Sequence, residues 1–254
     1  MSQDLISSIR CIENRDDVTI GVHAHMPTQH LAYRADTLFP AASIIKLAIA
    51  LSIHALSVKQ RAIADYHVHI DSSDAHCGSG TLTKRVGASY TVNQLIWHLL
   101  AQSDNTAQNA LVRTLPSLEI QSFINQKLHL HNTRYVPLPE TTSSHYSTTT
   151  PEDAVALINA INKLQQHNDV VTHTIRDALS RCAQEQLALT TAHTTLLKHG
   201  ALPTVQHYVF SCYANGHTHT IAILARSTHG ALHVTARTAV LALTKEIITH
   251  ISDA

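Results

Sequence analysis

Short runs of β-branched and aromatic residues lie near both ends of the chain, and stretches with helical spacing of apolar residues fill its middle. The first part predicts a helix over 4–12 and strands over 18–23 and 30–35. The last part predicts strands over 205–214, 217–226 and 231–235 and a helix over 237–250. Asn215-Gly216 between two of these strands is typical of a hairpin turn. The pattern therefore predicts an α+β fold: an antiparallel sheet flanked by the N- and C-terminal helices, plus an all-helical lobe.

The middle of the chain carries clear signals for the starts of helices. Thr91, with Gln94 three positions later, forms a capping-box pattern. Thr150 followed by Pro151 is typical of an N-cap and a first helical position. The predicted helices span 91–102, 106–115, 118–128, 151–165 and 171–182.

A further helix, predicted to begin at Ser43, is apolar almost all round, which is typical of a helix buried inside a protein. Its apolar run is interrupted by Lys46, Ser52 and His54 and is too short to span a bilayer, so we expect no membrane segment. Ser43 and Lys46 lie three residues apart, which places both side chains on one face of the helix.

A serine hydroxyl needs a neighbouring base before it can attack a carbonyl carbon, and Lys46 can reach the hydroxyl of Ser43. Burial would favour the neutral, basic form of the lysine. The alternative is that Lys46 packs its stem against the core and extends its amine to water.

Two further triplets carry candidate chemistry. Ser103-Asp104-Asn105 lies between two predicted helices, where side chains can point into a cleft, although the same residue types are favoured at caps and turns. Lys198-His199-Gly200 precedes the predicted strands, so its lysine could lie on a sheet edge, but a lysine near a glycine is also common in loops.

The ordered motifs S-x-x-K, S-D-N and K-x-G resemble those of class A serine β-lactamases and the related penicillin-binding serine hydrolases. The resemblance extends from about Val18 to the C-terminus. Three further similar segments are Phe39-Pro40-Ala41-Ala42, Gly78-Ser79-Gly80 and Thr148-Thr149-Thr150-Pro151. The resemblance implies a β-lactamase-like fold with the catalytic cleft between the two lobes.

The resemblance also implies a role for each matching residue. Ser43 would be the acylated nucleophile and Lys46 its proton acceptor, although a glutamate acting through water is the other candidate base in this family. Ser103 would pass a proton to the leaving nitrogen. Asn105 would hold Lys46 and the substrate amide.

Further matches concern substrate binding. Lys198, with His199 and Gly200, would form the wall that meets the substrate carboxylate, and Lys198 would also tune Ser103. The backbone N–H groups of Ser43 and Ala201 match the oxyanion hole of the family.

Two positions depart from the family pattern. Glu140 stands about where the family has the glutamate that activates the deacylating water, but its loop is short and Ser144 replaces a water-orienting asparagine. An exposed loop carboxylate is the equal alternative for Glu140. His199 replaces a Thr or Ser; its imidazole could donate a hydrogen bond to a carboxylate or could narrow the pocket.

Composition and charge limit the possible domain organisation and binding partners. The 254 residues are 44% hydrophobic, which is enough for one domain or for two packed lobes, with a sheet lobe over about 1–40 and 190–254 and a helical lobe over about 41–189. The 18 basic and 18 acidic residues balance, so neither nucleic acid nor an anionic membrane is an expected partner. We expect a monomer that acts on a small β-lactam or peptide-like acyl substrate. The charged first twenty residues carry no secretory signal, which predicts a cytosolic chain unless a signal was trimmed.

Histidine and cysteine raise the question of a metal. The chain has 21 histidines, and pairs such as His67-Val68-His69 could bind Zn²⁺ or Ni²⁺ at the surface. No second set of metal ligands accompanies them, so we predict no catalytic metal and no cofactor. The four cysteines are widely spaced, which favours isolated thiols.

Three functions remain open at this point. The favoured one is a β-lactamase-like hydrolase that both acylates and deacylates. The second is a penicillin-binding peptidase, amidase or esterase of the same superfamily with slow deacylation. The third is a binding protein that keeps the fold without turnover.

Overall fold

The computed structural model describes residues 2–26, 30–115, 117–138, 141, 145–187 and 195–253, with only the backbone at 2–3, 250 and 252–253. The helices are α1 (Ser2–Asp16), α2 (Ile45–Lys59), α3 (Val92–Ala101), α4 (Asn105–Thr114), α5 (Ile120–Gln126), α6 (Pro151–Lys163), α7 (Val170–Leu187) and α8 (Val234–Asp253). The strands are β1 (Val18–His25), β2 (His30–Tyr33), β3 (Phe39–Pro40), β4 (His67–His69), β5 (Ser89–Thr91), β6 (Thr148–Thr149), β7 (Thr195–Leu202), β8 (Val205–Ala214) and β9 (His217–Ser227).

A five-stranded sheet joins the two ends of the chain. Its strand order is β2-β1-β9-β8-β7, and every neighbouring pair is antiparallel. The β8–β9 hairpin turns at Asn215 and Gly216, whose φ angles of 53° and 80° are those of the predicted turn. Strand β7 forms one edge of the sheet, so one side of its backbone is free to face another element.

The two faces of the sheet are buried against different helices. Val209, Ala222 and Leu224 pack with the helical lobe, whereas alternate positions such as Phe210 and Ile223 pack with α1 and α8. This arrangement confirms the predicted α+β fold, in which terminal helices flank an antiparallel sheet beside a helical lobe. The predicted capping box at Thr91 and the N-cap at Thr150 are also present.

Two predictions about local structure were wrong. The core helix starts at Ile45 and not at Ser43, because a 3-10 turn over Ala42–Ile44 precedes it. Residues 231–235 do not form a strand: β9, the strand before them, already pairs with β1 and β8, so they cannot form a hairpin with it. The chain instead enters α8 at Val234.

Helix α2 runs through the middle of the helical lobe. The segment Ala42–Lys59 is long and apolar enough to cross a membrane, yet 67% of it is buried inside the protein. A core helix passes the same test of length and composition, so this segment is only weak support for a membrane span.

Candidate active site

Ser43 lies in the middle of the 3-10 turn that leads into α2. The turn follows the short strand β3, and Ile44 N–H donates to Ala41 O at 3.0 Å. Ala42 adopts a φ of 45°, a left-handed conformation that is uncommon for a residue with a side chain. This tight entry sets Ser43 at the buried beginning of α2, with its side chain half exposed.

Lys46 is 1% exposed, and its amine is the centre of the site. Its Nζ lies 3.4 Å from Ser43 Oγ and 3.4 Å from Ser103 Oγ. It donates to Asn105 Oδ1 at 2.7 Å and also to the backbone oxygen of Ser103. The first turn of α2 and the junction between α3 and α4 therefore meet at this amine.

The environment of Lys46 favours a neutral amine. Burial holds the pKa of Lys46 well below its usual value, and the positive charge of Lys198 lowers it further, while Asp104 opposes the shift. A neutral amine has two N–H donors and one lone pair. Because the two shortest contacts go to Asn105 Oδ1 and Ser103 O, the lone pair is left for a proton from a neighbouring hydroxyl.

The Ser103-Asp104-Asn105 triplet turns sharply between α3 and α4. Ser103 has a φ of 56°, and buried Asp104 is the N-cap of α4, accepting from Ala107 N at 2.9 Å. The other oxygen of Asp104 accepts from Thr81 N at 2.6 Å and Leu82 N at 2.8 Å. One carboxylate thus fixes both the helix start and the neighbouring loop.

Two glycines let that loop pass close to the triplet. Gly78 and Gly80 have φ angles of 113° and 95°, which residues with side chains rarely adopt. A Cβ at Gly78 would lie 3.0 Å from Asn105 Nδ2, and one at Gly80 would overlap the side chain of Asp104. This requirement explains the Gly78-Ser79-Gly80 pattern in the sequence.

Edge strand β7 closes the other side of the site. Lys198 is 1% exposed, and its Nζ donates to Ser103 Oγ at 3.1 Å and to His199 O at 3.0 Å. Burial lowers the pKa of Lys198 as well. A Cβ on Gly200 would lie 3.3 Å from Ile44 Cγ1, so this glycine lets the edge strand approach the 3-10 turn closely.

His199 points to the opposite face of β7. Its ring lies beside Tyr208, with 5.1 Å between ring centroids, and its Nε2 lies 2.8 Å from Gln206 Nε2. Arg237 donates to Gln206 Oε1 at 2.7 Å, so the Gln206 amide nitrogen must face His199 and donate to it. The remaining hydrogen of the neutral ring is then on Nδ1.

The charge of this imidazole is also determined by its surroundings. Burial first, and then the positive charge of Lys198, lower the pKa of His199 to about 4. At neutral pH the ring is therefore uncharged, and its contacts with Gln206 and Tyr208 take the place of the hydrogen bond to a carboxylate that the sequence suggested.

A cavity of about 490 Å³ opens beside Ser43. Its lining includes Ser43, Lys46, His76, Cys77, Gly78, Ser79, Asn105, Leu138, Thr141, Tyr146 and Ala201. Leu138 and Thr141 lie on either side of the predicted Glu140 in the chain. Glu140 itself, and Ser144, lie outside the described residues.

The structure brings five predicted residues together: Ser43, Lys46, Ser103, Asn105 and Lys198. Gly200 and Ala201 lie beside them on β7, while the His199 side chain faces away. The catalytic and binding roles of these residues remain predictions. All four cysteines are free thiols, as the sequence suggested.

Sequence reasoning missed three residues that support the site. Gln206 and Arg237 fix His199, and no local signal links them because they lie on β8 and α8. His207, fully buried, contacts Pro40 O through Nε2 at 2.7 Å and accepts from Ala225 N at 3.2 Å. The alternation of side chains along β8 could have placed His207 on the sheet face toward the helical lobe. It could not have predicted the contact with Pro40.

Comparisons with known proteins identify what this arrangement resembles. A model of the Beta-lactamase enzyme family matches residues 4–253. No curated protein sequence matches the chain significantly.

Among solved structures, the β-lactamase of Sphaerobacter thermophilus is 18% identical, with a TM-score of 0.84 over 100% of this chain and 99% of that one. A class A β-lactamase of Mycobacterium abscessus is 20% identical, with a TM-score of 0.80 and 98% of each chain covered. A PBP-A mutant in an acyl-enzyme complex with penicillin G is 18% identical, with a TM-score of 0.83 over 100% of this chain and 98% of that one.

Proposed function

Because the chain belongs to the β-lactamase enzyme family, we propose that it is a serine hydrolase that opens β-lactam amides through an acyl-enzyme on Ser43. The observation that carries the proposal is the buried amine of Lys46, within 3.4 Å of Ser43 Oγ and with a lowered pKa. A serine hydroxyl beside a neutral amine in a cavity is suited to acyl transfer.

In the first step, Ser43 Oγ attacks the carbonyl carbon while its proton passes to Lys46 Nζ. Asn105 Oδ1 and Ser103 O hold the amine so that its lone pair remains available to Ser43. The carbonyl oxygen gains negative charge and accepts hydrogen bonds from the backbone N–H groups of Ser43 and Ala201, the pair expected from the family pattern.

In the second step, the C–N bond breaks and the ring nitrogen takes up a proton from Ser103 Oγ. Lys46 Nζ, 3.4 Å from Ser103 Oγ, returns the proton that it received, so no net charge accumulates in the buried cluster. Lys198 Nζ, 3.1 Å from the same oxygen, orients the hydroxyl and stabilises negative charge on it.

Hydrolysis of the acyl-enzyme needs an activated water. Glu140 is the proposed base, because the chain positions on both sides of it, Leu138 and Thr141, line the cavity beside Ser43. Water attacks the ester carbon and gives one proton to the Glu140 carboxylate. As the bond between the ester carbon and Ser43 Oγ breaks, that proton passes to Ser43 Oγ, and the released acid keeps the hydroxyl group of the water. A PBP-A mutant with this fold forms an acyl-enzyme complex with penicillin G, which supports the same type of intermediate here.

The test is to mix the purified protein with a chromogenic cephalosporin while following both steady-state turnover and intact mass. Ser43→Ala should abolish turnover and the covalent adduct, whereas Ser72→Ala, an exposed serine of the same lobe, should retain both. Sustained turnover that depends on Ser43 supports the proposal.

Other outcomes separate the alternatives. A single burst with a persistent Ser43 adduct would instead indicate a penicillin-binding protein with slow deacylation. The absence of any adduct, with a folded protein, would contradict β-lactam acylation and direct the search to peptides and esters.

A further inference from the structure

A second cluster of polar side chains lies away from the Ser43 cavity, where α2 approaches the start of α7. It consists of His54, His167 and Asp169. His54 Nε2 is 3.3 Å from Asp169 Oδ2, and the rings of His54 and His167 are 5.3 Å apart between centroids. One potential ligand atom from each residue lies within 4.8 Å of the others, and within the described ranges this is the one such group of three.

The cluster is held in place by its supporting elements. His54 is 5% exposed on the buried helix α2, so its ring has little freedom to move. Asp169 is fixed by Thr172, which donates from N to Oδ1 at 2.9 Å and from Oγ1 to Oδ2 at 2.8 Å. Such second contacts orient metal-binding carboxylates in proteins. His167, by contrast, is exposed and can adjust its ring.

The distances suit a small tetrahedral ion. Two ligands bound at 2.0–2.1 Å in tetrahedral geometry are separated by about 3.3 Å, which is the separation of His54 Nε2 and Asp169 Oδ2. The remaining ligand atom must approach by about 1–1.5 Å, and it belongs to the exposed His167. Two imidazoles and one carboxylate form a donor set that zinc and neighbouring divalent metals favour.

We propose that His54, His167 and Asp169 bind one divalent transition-metal ion of the zinc type. A water would occupy the fourth position, on the side of a cavity of about 390 Å³ that is lined by Ser57, Arg61, His167 and Asp169. The alternative without a metal is an ordinary hydrogen bond between His54 and Asp169 together with an edge-on contact between the rings of His54 and His167, and the titration below distinguishes the two.

The ion would join two elements that also reach the proposed active site. Helix α2 carries Lys46 at its start, and α7 precedes β7, which carries Lys198. An ion that binds the folded chain but not the unfolded chain stabilises the folded state by mass action. The main consequence is that the protein unfolds at a higher temperature when the metal is present.

The test is to titrate chelator-treated protein with Co²⁺, followed by visible absorption, and with Zn²⁺, followed by calorimetry. We expect one equivalent to bind with the intense visible bands of a tetrahedral cobalt site. His167→Gln and Asp169→Asn should each weaken binding by about 100-fold. Zn²⁺ should raise the unfolding temperature of the natural protein by several degrees but leave that of His167→Gln unchanged.

The control is a variant of the exposed surface pair on β4, His67→Gln with His69→Gln, which should bind the ion as the natural protein does. Circular dichroism verifies that each variant is folded, and His167→Gln is the decisive variant because its side chain is exposed. Equal affinity in the natural protein and in folded His167→Gln and Asp169→Asn would overturn the proposal. Loss of binding only in the β4 variant would assign the metal to His67 and His69 and would also overturn the proposal.

Discussion

The two faces of edge strand β7 differ in how they treat ionisable side chains. On the face toward the helical lobe, Lys198 contacts Ser103 in a buried network with Lys46. On the opposite face, His199 is held by Gln206 beside Tyr208. Burial lowers the pKa of the basic group on each face, but only Lys198 lies within hydrogen-bonding distance of a serine hydroxyl.

The two faces also differ in how closely they follow the family pattern. The face with Lys198 keeps the motifs of the family in order, and its geometry suits proton transfer. The face with His199 departs from the family pattern, because a neutral imidazole replaces a small hydroxyl. The proposed acyl-transfer residues are therefore brought together on one face, whereas the His199 side chain on the other face is not placed beside them.

Removing the base on the first face should have the largest effect on the rate. Lys46→Met should lower the acylation rate by about 10³-fold, because Ser43 loses its proton acceptor. Rapid-mixing mass spectrometry measures the adduct, with exposed Lys84→Met as the control. In the natural protein the rate should fall as the pH drops through the lowered pKa of Lys46, since the protonated amine cannot accept. Undiminished acylation in Lys46→Met would assign the base to another residue.

Deacylation tests whether the altered loop still supports turnover. Glu140→Gln should slow hydrolysis of the acyl-enzyme by about 100-fold while leaving acylation unchanged, because the amide cannot take a proton from water. The decay of the adduct mass after a single addition of substrate gives the rate. Exposed Glu119→Gln is the matched control. An unaltered decay would show that Glu140 is not the base.

Acid should destabilise the sheet beside the nucleophile through His207. Burial lowers the pKa of His207 to about 4, so below pH 6.5 the unfolded chain takes up a proton that the folded chain does not. The free energy of unfolding should therefore fall as the pH drops from 6.5 towards 4, with about 2 kcal/mol lost from this group at pH 5.

Denaturant unfolding between pH 8 and pH 4.5 measures this dependence. His207→Gln should make the dependence shallower, with the contribution of His199 remaining, whereas exposed His131→Gln should keep the slope of the natural protein. Equal slopes in the natural protein and folded His207→Gln would contradict the assignment.

The smallest effect should come from the second face of β7. His199→Thr should leave kcat and KM for a β-lactam carboxylate nearly unchanged, because the His199 side chain lies beside Tyr208 and Gln206 and faces away from Ser43. The matching carboxylate ester serves as the control substrate. A clear fall in KM for the acid but not for the ester would contradict this placement and would show that position 199 meets the substrate carboxylate.

Much of the fold followed from the sequence because its signals are local. The Thr91 and Thr150 caps, the Asn215-Gly216 turn and the apolar core helix each depend on neighbouring residues. The strand expected over 231–235 failed for a non-local reason, since β9 is already paired on both sides and cannot take a third partner. A local pattern of apolar residues cannot show whether a pairing position is already taken.

The sequence by itself determined which reactive residues are present and in which order: Ser43 with Lys46, then Ser103 with Asn105, then Lys198. Only the tertiary structure decided their states, because burial and contacts between distant segments set pKa values and hydrogen-bond directions. Burial near Lys198 favours the neutral form of Lys46, which can accept a proton. His199 is neutral because the tertiary structure buries it near Lys198, while Gln206 and Arg237, from β8 and α8, fix its orientation.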